Sequence, residues 1–253
     1  MAERHTFLPS RCVWGDCLEE LGRVGAQSVD LVFADLPYGK TANVWDKQLP
    51  MDKLWVALKR VIKPNGVLVF TGVQPFTSLV VCSNLRWFKH AMVWRKNVPS
   101  GFMTARTRPL RAHEDVLVFC EGTPRRYTPQ MTTGHRPTSA WRRKSNQASA
   151  NYGGGTREDG GAGGSTIRYP VSVLDIPVVQ KRGQKKHPTE KPEELAAWFV
   201  RTYTLPGDLV LDPTAGSGST LCAAVRAGRN AIGFETDADM VSLANERLGC
   251  VRG

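Results

Sequence analysis

Asp208-Leu209-Val210-Leu211-Asp212-Pro213-Thr214-Ala215-Gly216-Ser217-Gly218 is a short apolar run that breaks into a turn of proline, small residues and glycine. Such a run reads as a buried strand, and its turn stands where an open α/β sheet places ligands. Glycine there lets a ligand approach the backbone closely. The pattern serves dinucleotide, phosphate and nucleoside sites alike, and sometimes only lets a helix pack. No Gly-Lys-Ser/Thr follows, so this is not a P-loop. The next strand, Asn230-Ala231-Ile232-Gly233-Phe234-Glu235, ends in an acid able to accept hydrogen bonds from both hydroxyls of a ribose. The combination favours an adenosine-containing cofactor.

A second strand-and-turn lies near the other end. Val29-Asp30-Leu31-Val32-Phe33-Ala34 runs into Asp35-Leu36-Pro37-Tyr38-Gly39. A carboxylate and an aromatic three residues apart on a strand-end turn can grip one planar, amino-bearing base. Tyr38 would stack on its face while Asp35 accepts from the exocyclic amine. The lone pair of an aromatic amine is delocalised. Hydrogen bonds to Asp35 and the Leu36 carbonyl would favour a pyramidal nitrogen able to attack a methyl donor. The plain alternative is an Asp-x-Pro-Tyr turn with Tyr38 packed in the core.

Between these turns the chain alternates β and α. Apolar runs at 29–34, 66–72, 90–95 and 114–120 read as strands, and Met51, Leu54, Trp55, Leu58, Val61 and Ile62 recur at helical spacing. After His187, Pro192 fits the first turn of a helix through Val200. A helix from about Ser219 to Ala227 ends at Gly228, and Asp237 can cap a last helix that Gly249 closes. Alternation of this kind implies a largely parallel sheet covered on both faces. The expected architecture is a Rossmann-like α/β domain in two halves, 1–121 and 187–253, interrupted by an insert over 122–186.

The insert differs in composition. Of a net +11, the stretch from Glu121 to Lys186 carries +8, with twelve Lys/Arg against four acids. Residues 122–170 are rich in Arg, Thr, Ser, Pro and Gly, and cannot bury enough apolar area to form a core. A disordered surface insertion is one reading. The arginines beside Tyr127, Trp141 and Tyr152 favour a nucleic-acid-facing one. Candidate DNA contacts are Arg125, Arg126, Arg136, Arg142, Arg143, Lys144, Lys181, Arg182, Lys185 and Lys186. Outside the insert, Lys40 after the first turn and Arg106 and Arg108 near strand ends join them, with Lys96, Asn97 and Arg111 close by. A solvated charged face is the alternative for these.

The six cysteines are scattered without a CxxC pair, which points to free thiols and no structural zinc. No stretch approaches the ~20 apolar residues of a membrane helix. The N-terminus has no signal-peptide pattern, so a cytoplasmic protein is expected.

In four motifs the chain resembles the DNA amino-methyltransferases, which modify adenine N6 or cytosine N4 with S-adenosylmethionine. Asp35-Leu36-Pro37-Tyr38 resembles their Asp-Pro-Pro-Tyr catalytic motif, with Leu36 in place of the first proline. Asp212 to Gly218 resembles their Asp-Pro-Phe-Ala-Gly-Ser-Gly cofactor motif, with Thr214 in place of Phe. His187-Pro188-Thr189-Glu190-Lys191-Pro192 is similar to the segment at the methionine end of the cofactor. Gly15-Asp16-Cys17-Leu18-Glu19 is similar to the element whose aspartate contacts the cofactor adenine. The motif order is that of the circularly permuted β group, with the target-recognition region where the insert lies. The resemblance implies catalytic Asp35, Leu36, Pro37 and Tyr38. It implies a cofactor site of Asp16, Asp35, His187, Lys191, Asp212, Pro213, Thr214, Ala215, Gly216, Ser217, Gly218 and Glu235. It also implies no metal, duplex DNA as partner, and a homodimer. Aspartate at position 35 resembles the adenine-N6 enzymes more than the cytosine-N4 ones, which often have Ser there. A cytosine-N4 enzyme and a catalytically weak DNA-binding homologue are the alternatives.

Overall fold

The computed structural model describes residues 10–39, 48–142, 160–179 and 190–252. Lys40, Arg143, Lys144, Lys181, Arg182, Lys185, Lys186 and His187 lie outside the described residues, as does the side chain of Arg142. The chain divides into two compact units, one of residues up to Thr128 together with those from Ser172 onward, the other Pro129–Val171.

The larger unit is built on one eight-stranded sheet. Its strands are β1 (Arg11–Trp14), β2 (Val29–Ala34), β3 (Ile62–Gly72), β4 (Phe88–Ser100), β5 (Arg111–Cys120), β8 (Val173–Asp175), β9 (Leu209–Asp212) and β10 (Asn230–Glu235). Their spatial order is β1-β10-β9-β2-β3-β5-β4-β8. From β1 to β3 every pairing is parallel; β5 then runs antiparallel to both β3 and β4. The expected parallel sheet therefore stops at β3. Residues 101–110 link β4 to β5 by a connection too short for a crossover, which forces a hairpin. The short strand β8 pairs parallel with β4.

Burial follows the two-residue period of a strand. Leu31, Phe33, Val67, Val69, Val116 and Val118 face one side, packed on Leu195, Phe199 and Val200 of α4 (Glu193–Tyr203). Helices α5 (Ser219–Arg226) and α6 (Ala238–Arg252) complete that layer. Val32, Leu68, Phe70, Leu117 and Phe119 face the other side, against Leu54, Trp55 and Leu58 of α2 (Met51–Val61). Helix α3 (Phe76–Ser83) and the short α1 (Cys17–Glu20) flank it. Covered on both faces, β2 is buried at all six positions.

Two helix boundaries differ from expectation by local causes. Pro192 is the N-cap of α4, in extended conformation, rather than part of its first turn. Helix α6 begins after Asp237, whose carboxylate accepts from the Asp239 and Met240 amides at 2.9 and 3.2 Å. It runs on through Gly249, since helix φ/ψ is open to glycine at a cost of only ~1 kcal/mol.

In the smaller unit, β6 (Trp141–Arg142) pairs antiparallel with β7 (Gly160–Gly161), and Thr132 bridges Arg168. Among its described residues the links are backbone pairings, and Met131, Ile167, Tyr169 and Val171 are exposed. Gly163 is closely packed there: at φ +78, an added Cβ would lie 2.5 Å from the Ala140 amide nitrogen. No helix among the described residues is long and apolar enough to cross a membrane.

Candidate active site

The two quoted turns meet because their strands are neighbours. β2 pairs with β9 at Leu31↔Val210 and Val32↔Leu211, so both end at the same rim of the sheet. Across that rim the Thr214 hydroxyl donates to the Asp35 carbonyl at 3.2 Å. Leu36, in the motif position where proline is common, is 2 % exposed and fills the core under α2. Its side chain anchors the turn.

Asp35 is fully engaged. The hydroxyls of Tyr38 and Thr71 both donate to Oδ1, the latter at 2.7 Å. Lys191 Nζ lies 2.7 Å from Oδ2. The same ammonium is 3.1 Å from Glu114, which also pairs with Lys96 at 3.1 Å. Two acids and two bases thus form one chain across the ends of β2, β4 and β5 and the start of α4. Burial works against the Lys191 ammonium, but the Asp35 and Glu114 carboxylates outweigh it and hold its pKa well above the usual lysine value. Burial likewise opposes ionisation of Glu114, and Lys191 and Lys96 overcome it, so its pKa falls below the usual carboxylate value. Burial and the neighbouring Asp35 carboxylate push the Tyr38 phenol well up, so it stays a neutral donor. The Tyr38 ring rests on Phe76, with centroids 5.0 Å apart.

The glycine turn splits into two roles. Gly216, at φ +50, has open space where a Cβ would stand, with nothing within 4 Å. Gly218, at φ +81, does not: a Cβ there would meet Ala244 Cβ at 2.8 Å and Cα at 3.1 Å. Gly216 leaves the backbone open to a ligand, and Gly218 lets α5 pack on α6. Asp212 is 3 % exposed and braces the turn by accepting from the Thr214 amide at 3.0 Å. Burial raises its carboxyl to about 7, with the Asp35 and Glu235 charges adding to the rise.

Glu235 stands on the same rim. Gly216 N donates to its Oε2 at 2.9 Å, while Thr236 N and Asp237 N donate to Oε1 at 2.7 and 2.9 Å. β1 pairs with β10 at Trp14↔Glu235, which sets Asp16 one turn away. Asp16 caps α1 through Oδ1, 2.7 Å from the Leu18 amide. An open backbone at Gly216 and acids at the ends of β1 and β10 suit an adenosine group carrying a ribose diol.

Several positions fall away from the rim's chemistry or were hidden from sequence reasoning. Lys191, which the resemblance places at the cofactor's carboxylate end, forms ion pairs with Asp35 and Glu114. Arg125 and Arg126 line a cleft with Asp30, Lys63 and Asp208 at the amino ends of the parallel strands, opposite the catalytic turn. Arg136 belongs to the smaller unit, where its carbonyl accepts from the Arg168 guanidinium. Arg106 and Arg108 are exposed on the β4–β5 connection. Arg247, Thr71 and Glu114 were not anticipated. Arg247 joins Glu190, Ser217 and Glu193 at 2.8, 2.8 and 2.6 Å, tying the start of α4 to the glycine turn. A polar residue at the carboxyl end of an apolar strand was the available signal for Thr71; no local pattern marked Glu114.

A methyltransferase-like sheet, an acidic aromatic turn and an open glycine turn on one rim define an α/β group-transfer enzyme of the DNA-modifying kind. The DNA methylase family of N6- and N4-methyltransferases matches residues 29–246, and the chain belongs to that family. It is 30 % identical over 250 residues to the DNA adenine methyltransferase YhdJ of Escherichia coli K12, covering 93 % of this chain and 81 % of that one. The fold is similar to that of the M1.HpyAVI–SAM complex, with a TM-score of 0.62, 20 % identity, and coverage of 94 % and 98 %. It is also similar to the cytosine-N4-specific PvuII DNA methyltransferase, with a TM-score of 0.66, 18 % identity, and coverage of 97 % and 92 %.

Proposed function

We propose that this chain is an S-adenosylmethionine-dependent, site-specific DNA methyltransferase acting on adenine N6. The observation that carries the reading is the Thr214–Asp35 hydrogen bond, which makes the base turn and the open glycine turn adjoining walls. S-adenosylmethionine supplies an electrophilic methyl group on a sulfonium. Gly216, Glu235 and Asp16 would hold its adenosine end, with the sulfonium side turned toward Asp35.

Adenine N6 is paired inside a duplex, so the base must leave the stack to reach Asp35. There Asp35 would accept a hydrogen bond from one N–H of the amino group and the Leu36 carbonyl from the other, turning the nitrogen lone pair toward the methyl carbon. The N–C bond would form as the S–C bond breaks to leave S-adenosylhomocysteine, and the methylated nitrogen would then lose one proton to Asp35 or solvent. Tyr38 covers the base face. Held in line, the reactants need little else, because positioning converts a bimolecular step into an effectively unimolecular one. The arginines and lysines of the insert other than Arg125 and Arg126 would hold phosphates and read base edges.

A cytosine-N4 enzyme has the same fold, so the fold does not choose between bases; Asp35 favours adenine. Single-molecule sequencing of DNA from cells expressing the chain tests this directly. N6-methyladenine in one sequence context is the expected result. N4-methylcytosine would overturn the base assignment, and unmodified DNA would overturn the activity.

A further inference from the structure

We propose that the tip of the β4–β5 hairpin is a wedge that enters the base stack of duplex DNA and fills the gap left by the everted target base. The proposal rests on the methyltransferase reading above and adds to it a device for opening the duplex.

The hairpin stands on the active-site rim. β5 runs antiparallel to β3 with Gly72↔Asp115, so its start lies beside the carboxyl end of β3. Glu114, at the hairpin's root, reaches Lys191 and through it Asp35. From there the ladder extends to its last rung, Ser100↔Arg111, three residues further out. At about 3.3 Å per residue that is roughly 10 Å, close to the ~12 Å width of a major groove.

What the hairpin carries at its end is apolar and unburied. Phe102 is 63 % exposed and Met103 101 %, with Val98 and Leu110 also exposed. Large apolar side chains grouped on one projecting element mark an interaction site, unlike scattered single ones. The tip is also braced. Gly101 adopts φ +94 to start a 3-10 turn over Phe102–Thr104. Thr104 N donates back to Gly101 O at 3.0 Å, and Arg108 Nε donates to Thr104 Oγ1 at 2.8 Å. Phe102 and Met103 are thus presented on a short knot held by its own hydrogen bonds.

Charge selects the partner. Arg106 and Arg108, both exposed, share the connection that carries the apolar tip, and Arg111 begins the strand that follows it. Two copies meeting at this tip through a two-fold axis would bring like charges together. A polyanion with an apolar interior between its stacked bases fits both features at once. Phe and Met are among the side chains that wedge between base steps, while the arginines hold phosphates on either side.

The test compares two duplexes carrying the site found by sequencing, one with the target fully paired and one with an abasic position opposite it. In the second the target is already unpaired and costs less to extrude, so a wedge has less left to do. Methyl transfer by the full chain is measured for wild type, F102A/M103A and the conservative F102L/M103L. Both positions are exposed, so the fold does not depend on them. The expected result for F102A/M103A is a loss of about tenfold or more on the paired duplex, with transfer to the abasic duplex within about twofold of wild type. The leucine pair should keep most of the wild-type rate. Equal loss on both duplexes, or no loss on either, overturns the wedge. If equal loss comes with a dimer turning to monomer in light scattering, the tip is a contact between copies. Should wild type transfer nothing to either duplex, the methyltransferase reading fails and the wedge falls with it.

Discussion

Lys191 Nζ and Asp35 Oδ2 are 2.7 Å apart, so the carboxylate proposed to receive the target amine is paired with a lysine from just before α4. Tyr38 and Thr71 hold the other oxygen. A target amino group therefore gains its place on Asp35 by displacing a donor. Lys191 is the donor with a second acceptor at hand, since Glu114 lies 3.1 Å from the same ammonium. Asp35→Ala should abolish methyl transfer, by at least about 10²-fold, because the acceptor for the amine is gone. Cofactor affinity should largely survive, because the residues proposed to hold the adenosine end are Gly216, Glu235 and Asp16. Parallel label-transfer and cofactor-titration measurements check this; joint loss of both would mean that Asp35 supports the fold instead.

Glu114 links two buried cations, and removing one partner of such a set strands the others. Glu114→Gln should destabilise the protein by roughly 3–5 kcal/mol. The double variant Glu114→Gln/Lys191→Met should recover part of that loss in denaturant titrations. Strict additivity would show that the two do not interact. The pH sign follows from the lowered Glu114 pKa. The folded state binds this proton less readily than the unfolded chain, so its contribution is present above about pH 4.5 and lost on acidification. Glu114→Gln should flatten that acid limb.

Asp212 shows the opposite sign. Its carboxyl is raised from 3.8 to about 7, so the folded protein holds this proton more tightly than the unfolded chain. The associated stability is fullest below about pH 4 and is lost as pH rises toward 7. Asp212→Asn should remove this slope from a plot of Tm against pH. An unchanged slope would assign the titration elsewhere.

The two glycines of the turn should respond differently. Gly218→Ala forces a Cβ onto Ala244 in a left-handed conformation and should cost about 2–4 kcal/mol of stability. Gly216→Ala meets open space and should cost only the conformational penalty, about 1–2 kcal/mol. Its larger effect should be on cofactor Kd, measured by isothermal titration. A Gly216→Ala protein with wild-type Kd would show that the cofactor does not approach that backbone.

Both turns were legible in the sequence because strand-end chemistry is local: an apolar run, a break, and a few residues of definite type. The glycine turn left ligand approach and helix packing open as alternatives for the motif as a whole; Gly218 packs on Ala244, while Gly216 faces open space. What stayed hidden depends on register between distant strands. Glu114 faces the site because β5 enters antiparallel beside β3, which no local pattern encodes. The rim position of Lys191 was legible but its pairing with Asp35 and Glu114 was not, since a lysine in a turn does not declare which acid it meets. Counting charge gave Arg125 and Arg126 a sign without a direction, and they lie at the sheet's other end.

The pairing of β2 with β9 also has a consequence for biogenesis. The central strand, apolar on both sides, emerges from the ribosome nearly two hundred residues before the neighbour that completes it. Until then one of its edges stands open, and such edges recruit other strands. A chain that stops short of β9 lacks the turn that faces Asp35, so it holds only one wall of the cleft. Late closure makes the nascent chain vulnerable to aggregation and leaves its cleft unfinished.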